Sequence, residues 1–171
     1  MNDARGDTPR KKGEIMKALI IYHSKTGHTK AAADDIARGL DEKGVEVTIE
    51  EAAKADPASA SDYDILLIGS PTYAQTRYKA AAKPVERFID AMKSDALSGH
   101  IAGGFSVCAA SGAEKVVAAI EKRLASLGAK VVSPGPAVRA GAPLSLWQGP
   151  DAAAADVEKC VEFGRRVATE A

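Results

Sequence analysis

Three short stretches concentrate the side chains able to do chemistry: HSKTGHT at residues 23–29, SPTYAQTRY at 70–78 and AASGAEK at 109–115. The first stands between an apolar run and an Ala-rich segment with helical spacing. A helix beginning near Thr29 would present amides without intrahelical acceptors, and the positive end of its dipole, to an anion. Ser24, Thr26 and Thr29 would add hydroxyl donors, and Gly27 would let the backbone approach a ligand closely. A phosphate can be held in this way without a metal ion. The alternative is a strand-to-helix turn whose Ser and Thr only cap the helix. Neither GxxxxGK[ST] nor GxGxxG occurs, which argues against a Walker-type or dinucleotide site.

The elements that must position these stretches follow from hydrophobic patterning. Residues 18–22, 65–69 and 101–108 are nearly continuous apolar runs, as expected of strands covered on both faces, and Gly103 and Gly104 in the last imply close packing or a bulge. Residues 45–49 alternate and read as a strand nearer an edge, and 129–133 as a fifth strand. Ala33, Ile36, Ala37 and Leu40 share one helical face, as do Val85, Phe88, Ile89 and Met92 behind Pro84, and Val116, Ile120, Leu124 and Leu127. Residues 134–150 are rich in Gly and Pro and read as a long loop, after which Asp151 is the expected N-cap of a last helix. Strands alternating with helices predict one α/β domain with a parallel sheet. Five strands suit the order 2-1-3-4-5, whose ligand site lies beyond the carboxyl ends at the switch between strands one and three. The three stretches above are the loops that converge there.

Composition narrows the function classes. The 171 residues are enough for one domain with a substantial core, and 23 basic against 23 acidic side chains leave no global field to recruit nucleic acid or anionic lipid. No apolar run approaches the roughly 20 residues needed to span a bilayer. Cys108 and Cys160 form no CxxC pair, which argues against a disulfide framework or structural zinc and suits a cytoplasmic setting. Residues 1–15 are expected to be a polar, disordered tail without the apolar segment of a secretory signal, and 16–171 the domain. Met16 is a candidate start; the sharper alternative is a basic tail that contacts RNA or a partner.

The stretch IIYHSKTGHTKAAADDIA resembles the phosphate loop of flavodoxin-like FMN proteins, which follow their first strand with Ser/Thr-x-Thr-Gly-x-Thr. YDILLIGSPTY resembles their third strand and second flavin loop, and VEKCVEFGRRVA is similar to the closing helix of flavodoxin-type domains in diiron flavoproteins and related NAD(P)H:quinone reductases. The resemblance runs from about Met16 to the last helix. It implies a flavodoxin-like three-layer sandwich and FMN as cofactor. It places Ser24, Lys25, Thr26, Gly27, His28 and Thr29 at the FMN phosphate, and Pro71, Thr72, Tyr73, Ala74 and Gln75 along the ribityl chain and isoalloxazine ring. Ala109, Ala110, Ser111 and Gly112 would offer backbone amides to the pyrimidine carbonyls. The third loop departs from typical electron-carrier flavodoxins, which place a second aromatic shield there within an acidic loop.

Several residues keep two readings. Tyr73 either stacks on the flavin or packs against the neighbouring loop. Lys25 and His28 either add positive charge at the phosphate or point to solvent. His23 is either close to the flavin or a strand-boundary residue, and Cys108 either a redox sensor or a small core residue, while Cys160 reads as packing. Arg77, Tyr78 and Lys79 either attract an anionic reductant at the entrance or begin a solvated helix. Trp147 is either a lid or a subunit contact. The leading functional expectation is an electron carrier between protein partners. The alternatives are an NAD(P)H-dependent oxidoreductase reducing quinones or other small acceptors, and a flavin-free regulatory or interaction module. A homodimer stays open.

Overall fold

The continuous apolar runs form the middle of a parallel sheet in the computed structural model, which describes residues 13–73, 80–142 and 147–171. In β1 (Lys17–Tyr22) the residues from Ala18 to Ile21 are all fully buried, and β3 (Ile65–Pro71) repeats this from Ile65 to Ile68. Ala18, Ile20, Ile65 and Leu67 face one core, whereas Leu19, Ile21, Leu66 and Ile68 face the other, as the two-residue period of a strand requires. The first core is covered by α1 (His28–Asp41) and α4 (Ala154–Glu170), and the second by α2 (Lys83–Asp90) and α3 (Ala113–Ser126). The alternating segment is β2 (Glu46–Glu51), which stands at the sheet edge and is only partly buried. With β4 (Ile101–Cys108) and β5 (Lys130–Val131) the order is β2-β1-β3-β4-β5, the expected one, and all pairings are parallel. No helix among the described residues is long and apolar enough to cross a membrane.

The fifth strand position differs from expectation. The segment taken for a loop contains β6 (Ala137–Arg139), which pairs with the last residues of β4, while β5 pairs only with its first two. Pro134 and Pro136 carry no N–H and interrupt the ladder between them. Glu121 of α3 stitches the gap, accepting from Ser133 Oγ at 2.5 Å and from the Gly135 amide at 2.7 Å. Asp151 does not cap the last helix: α4 is preceded by Ala153 and has no side-chain cap. The connection from β2 to β3 is a 3-10 turn, Pro57–Asp62, whose first turn is capped by Asp56 accepting from the Ala58 amide at 2.9 Å. Gly103 reflects close packing: a Cβ there would stand 2.7 Å from the Phe163 ring, and the register with β3 runs through without a bulge.

Helices α1 and α4 meet backbone to backbone. A Cβ on Gly164 would lie 2.2 Å from the Ile36 carbonyl oxygen, and one on Gly39 would lie 2.0 Å from that of Val161. Only hydrogen fits at either position, so this glycine pair sets how closely α4 approaches the helix that carries the first loop. Gly164→Ala should therefore force the helices apart and lower stability by about 1–3 kcal/mol, the range typical of overpacking. A urea unfolding curve with an unchanged midpoint would contradict this packing.

Candidate functional site

The first loop leaves β1 and turns into α1 at Gly27, which stands at φ +92°, a left-handed conformation that suits glycine. Its amide donates to Ser24 Oγ at 2.9 Å, which closes the loop on itself. The first intrahelical bond runs from the Ala31 amide to the Gly27 carbonyl at 2.9 Å. The amides of His28, Thr29 and Lys30 thus have no acceptor among the described residues, and no side chain caps the helix. The simple capping alternative is therefore not what the loop does. Three aligned donors at the positive end of a 14-residue helix fit an anion.

The second loop is held by a buried chain of hydroxyls. Ser70 and Ser106 are register partners on β3 and β4, and both are fully buried. Ser106 Oγ donates to the Ser70 carbonyl at 2.7 Å, so its contact with Thr72 Oγ1 at 2.9 Å is one in which Thr72 donates. Ser70 Oγ in turn accepts from the Ala82 amide at 2.8 Å, and the Thr72 amide donates to the Val107 carbonyl at 2.9 Å. Thr72 is thereby a positioning residue: its proton is committed inward, and its direction is fixed by β4.

These loops border an open cleft at the carboxyl ends of the strands. Ser24, Lys25, Thr26, His28 and Thr29 line one side, Pro71, Thr72 and Tyr73 the second, and Val107, Ala109 and Ala140–Ala142 the remainder. Lys25 is exposed, with its ammonium 5.2 Å from the centre of the Tyr73 ring, a cation–π contact that ties the first two loops together. Burial raises the Tyr73 phenol above its usual range. His28 does not point to solvent: it is buried against the segment after β6, donating Nε2–H to the Gln148 carbonyl at 2.6 Å, with Nδ1 3.8 Å from Asp151. In the third loop Ala109 lines the cleft, Ala110 and Ser111 are exposed, and Gly112 precedes α3 at φ +96° without a side-chain cap. Ala74 and Gln75, like Arg77, Tyr78 and Lys79, lie outside the described residues.

Three other candidates fall outside the cleft lining. His23 ends β1, its amide donating to the Gly69 carbonyl at 3.2 Å; burial lowers its imidazole below the usual value, against the opposing pull of Glu51. Cys108 is buried, and desolvation raises its thiol despite the Ala113 amide beside it. Cys160 lies in the core under α4, where burial pushes it up to about 12. Both thiols are buried. Ser106 and the Ala140–Ala142 wall were missing from the sequence reading. Ser106 has a faint signal, a lone hydroxyl in the run IAGGFSVC, whereas the wall has none, because β6 was hidden by its prolines.

A family model described as Flavodoxin matches residues 20–164. Among curated relatives, the NAD(P)H dehydrogenase (quinone) of Brucella anthropi is 31% identical over 96 residues, 44% of this chain and 46% of that protein. The chain thus spans about half the length of the first curated relatives it matches. Among solved structures, oxidised flavodoxin 2 from Bacillus cereus superposes with a TM-score of 0.74 and 28% identity, covering 91% of this chain and 99% of that one. The rubredoxin oxygen:oxidoreductase of Desulfovibrio gigas shares the fold, with a TM-score of 0.71 and 20% identity over 90% of this chain and 35% of that one.

Ser106→Ala should strand the Ser70 carbonyl and leave Thr72 without its acceptor, costing about 1–3 kcal/mol in a urea titration. An unchanged midpoint would mean that the hydroxyl chain does not hold the second loop. A thiol reagent at pH 8 should leave both cysteines unmodified in the native protein and label both in urea; native labelling would place one of them at the surface.

Proposed function

The chain belongs to the flavodoxin family, whose cofactor is FMN, and we propose that within it this protein carries electrons between protein partners. The observation that carries the reading is the uncapped first turn of α1, whose His28 and Thr29 line a cleft shared by the loops after β1, β3 and β4. The FMN phosphate would take the amides of His28, Thr29 and Lys30, together with the hydroxyls of Ser24, Thr26 and Thr29. Bound FMN supplies one- and two-electron redox chemistry that side chains lack. Pro71 and Thr72, fixed through Ser106, would border the ribityl chain, and Tyr73 would exclude water from one face of the ring. Ala109 to Gly112 would place backbone dipoles at the pyrimidine end. The near-complete match to a flavodoxin of similar length supports the carrier reading.

A second reading rests on the third loop. Ala109, Ala110 and Ser111 put no aromatic ring over the cleft, which would leave one flavin face accessible to a nicotinamide or quinone. Relatives named NAD(P)H dehydrogenase (quinone) support this alternative, although the match covers about half of their length.

An FMN fluorescence titration tests the shared premise: saturable quenching is expected, weakened about tenfold in Thr26→Ala or Thr29→Ala. No binding would leave the fold without the flavin and favour an interaction module. With FMN bound, a redox titration that proceeds in one-electron steps and slow NAD(P)H oxidation support the carrier. Rapid NAD(P)H oxidation with a quinone present would overturn it in favour of the reductase.

A further inference from the structure

The segment between β6 and α4 contributes more than a wall. We propose that Gln148 is an additional donor to the phosphate group, a role that rests on the flavin reading above. Its main chain is fixed to the first turn of α1, because the Gln148 carbonyl accepts Nε2–H from His28, the first residue of that helix, at 2.6 Å. The neck of the segment is closed by the Gly141 amide donating to the Pro150 carbonyl at 2.8 Å. The side chain then reaches back over the phosphate loop. Gln148 Nε2 lies 3.9 Å from the place where a Cβ on Gly27 would stand, and it is the nearest atom there.

The position and the chemistry agree. The carboxamide lies beside the residue that precedes the three acceptor-free amides, and its N–H donors make no hydrogen bond among the described residues. A carboxamide adds donors to a phosphate monoester without adding net charge. It also comes from a segment of chain separate from the phosphate loop. His28 is the positioning residue in this arrangement. It acts through the Gln148 carbonyl and ties the segment to the helix that supplies the amides.

Phosphate selectivity separates this role from general packing. Purified wild type, Gln148→Ala and Gln148→Glu would be titrated with FMN and with riboflavin, which lacks the phosphate, and inorganic phosphate would be added as a competitor. Gln148→Ala should raise the FMN Kd about tenfold while leaving riboflavin within about twofold, as expected for loss of a hydrogen bond to a charged group. Gln148→Glu should weaken FMN further by repulsion, and inorganic phosphate should compete less well in both variants. His28→Phe should weaken FMN through the same contact, so its effect and that of Gln148→Ala should not add in the double variant. Because Gln148 is exposed, the unfolding midpoints of cofactor-free Gln148→Ala and Gln148→Glu should match wild type. Equal losses for FMN and riboflavin, or an unchanged FMN Kd in Gln148→Glu, would overturn the assignment while leaving the flavin reading standing. Failure of the wild type to bind FMN would overturn both.

Discussion

Three backbone amides without acceptors among the described residues, at the start of a helix whose other end packs closely against α4, are what the cleft is arranged around. Those of His28, Thr29 and Lys30 point beyond the carboxyl end of β1, and Gly27 keeps the approach clear. All four α-helices lack a side-chain cap, so the bare turn of α1 is set apart by the cleft its residues line and not by being uncapped. Ser24 Oγ takes the Gly27 amide and none of the three. The cost of the bare turn falls on the packing behind it. The glycine crossing of α1 and α4 and the fully buried Ala33, Ile36 and Leu40 hold the helix in place without help from its N-terminus.

The sheet converts that local feature into a site. The parallel register runs unbroken from β1 through β3 to β4, so the carboxyl ends of these strands are fixed relative to one another. Polar groups enter this core where they connect loops: Ser70 and Ser106 face each other across β3 and β4 and hand their bonding on to Thr72 and Ala82. A buried hydroxyl chain with every proton assigned holds direction better than an apolar contact, since rotation of one member leaves another unsatisfied. The second loop inherits its orientation from the strand of the third.

The central strands, all four long helices and the 2-1-3-4-5 order were legible because continuous apolar runs and helical periodicity are set by burial, which these segments share along their whole length. Only the first half of the fifth strand position was, since β5 lies within residues 129–133 and β6 falls in the stretch read as a loop. Its pairing is divided between Lys130–Val131 and Ala137–Arg139, and the prolines that divide it are the residues that mark loops elsewhere. The rescue comes from Glu121, far away in sequence, and no local pattern encodes it. The same distance hides His28: a histidine in a polar loop reads as solvent-facing until β6 is seen to bring Gln148 against it. Asp151 follows the same logic, read as a cap from its neighbours and found beside His28 instead.

Charge bears on what kind of redox site this is. Basic and acidic residues balance over the chain, and among the described residues the lysine lining the cleft, Lys25, has its ammonium against the Tyr73 ring. Attraction for an anion here therefore rests chiefly on oriented backbone dipoles, which do not titrate and are already desolvated on their helix side. Such donors hold a phosphate without creating a long-range field, so a partner approaching the cleft meets shape and exposed edge before it meets charge. With only Ala109, Ala110 and Ser111 on the third loop, the partner-facing side of the cleft is bounded by small residues, and what reaches a ring held there is decided by the segments that flank it. The β6–α4 segment is the one whose attachment, through His28, is made to the same helix turn that would hold the cofactor.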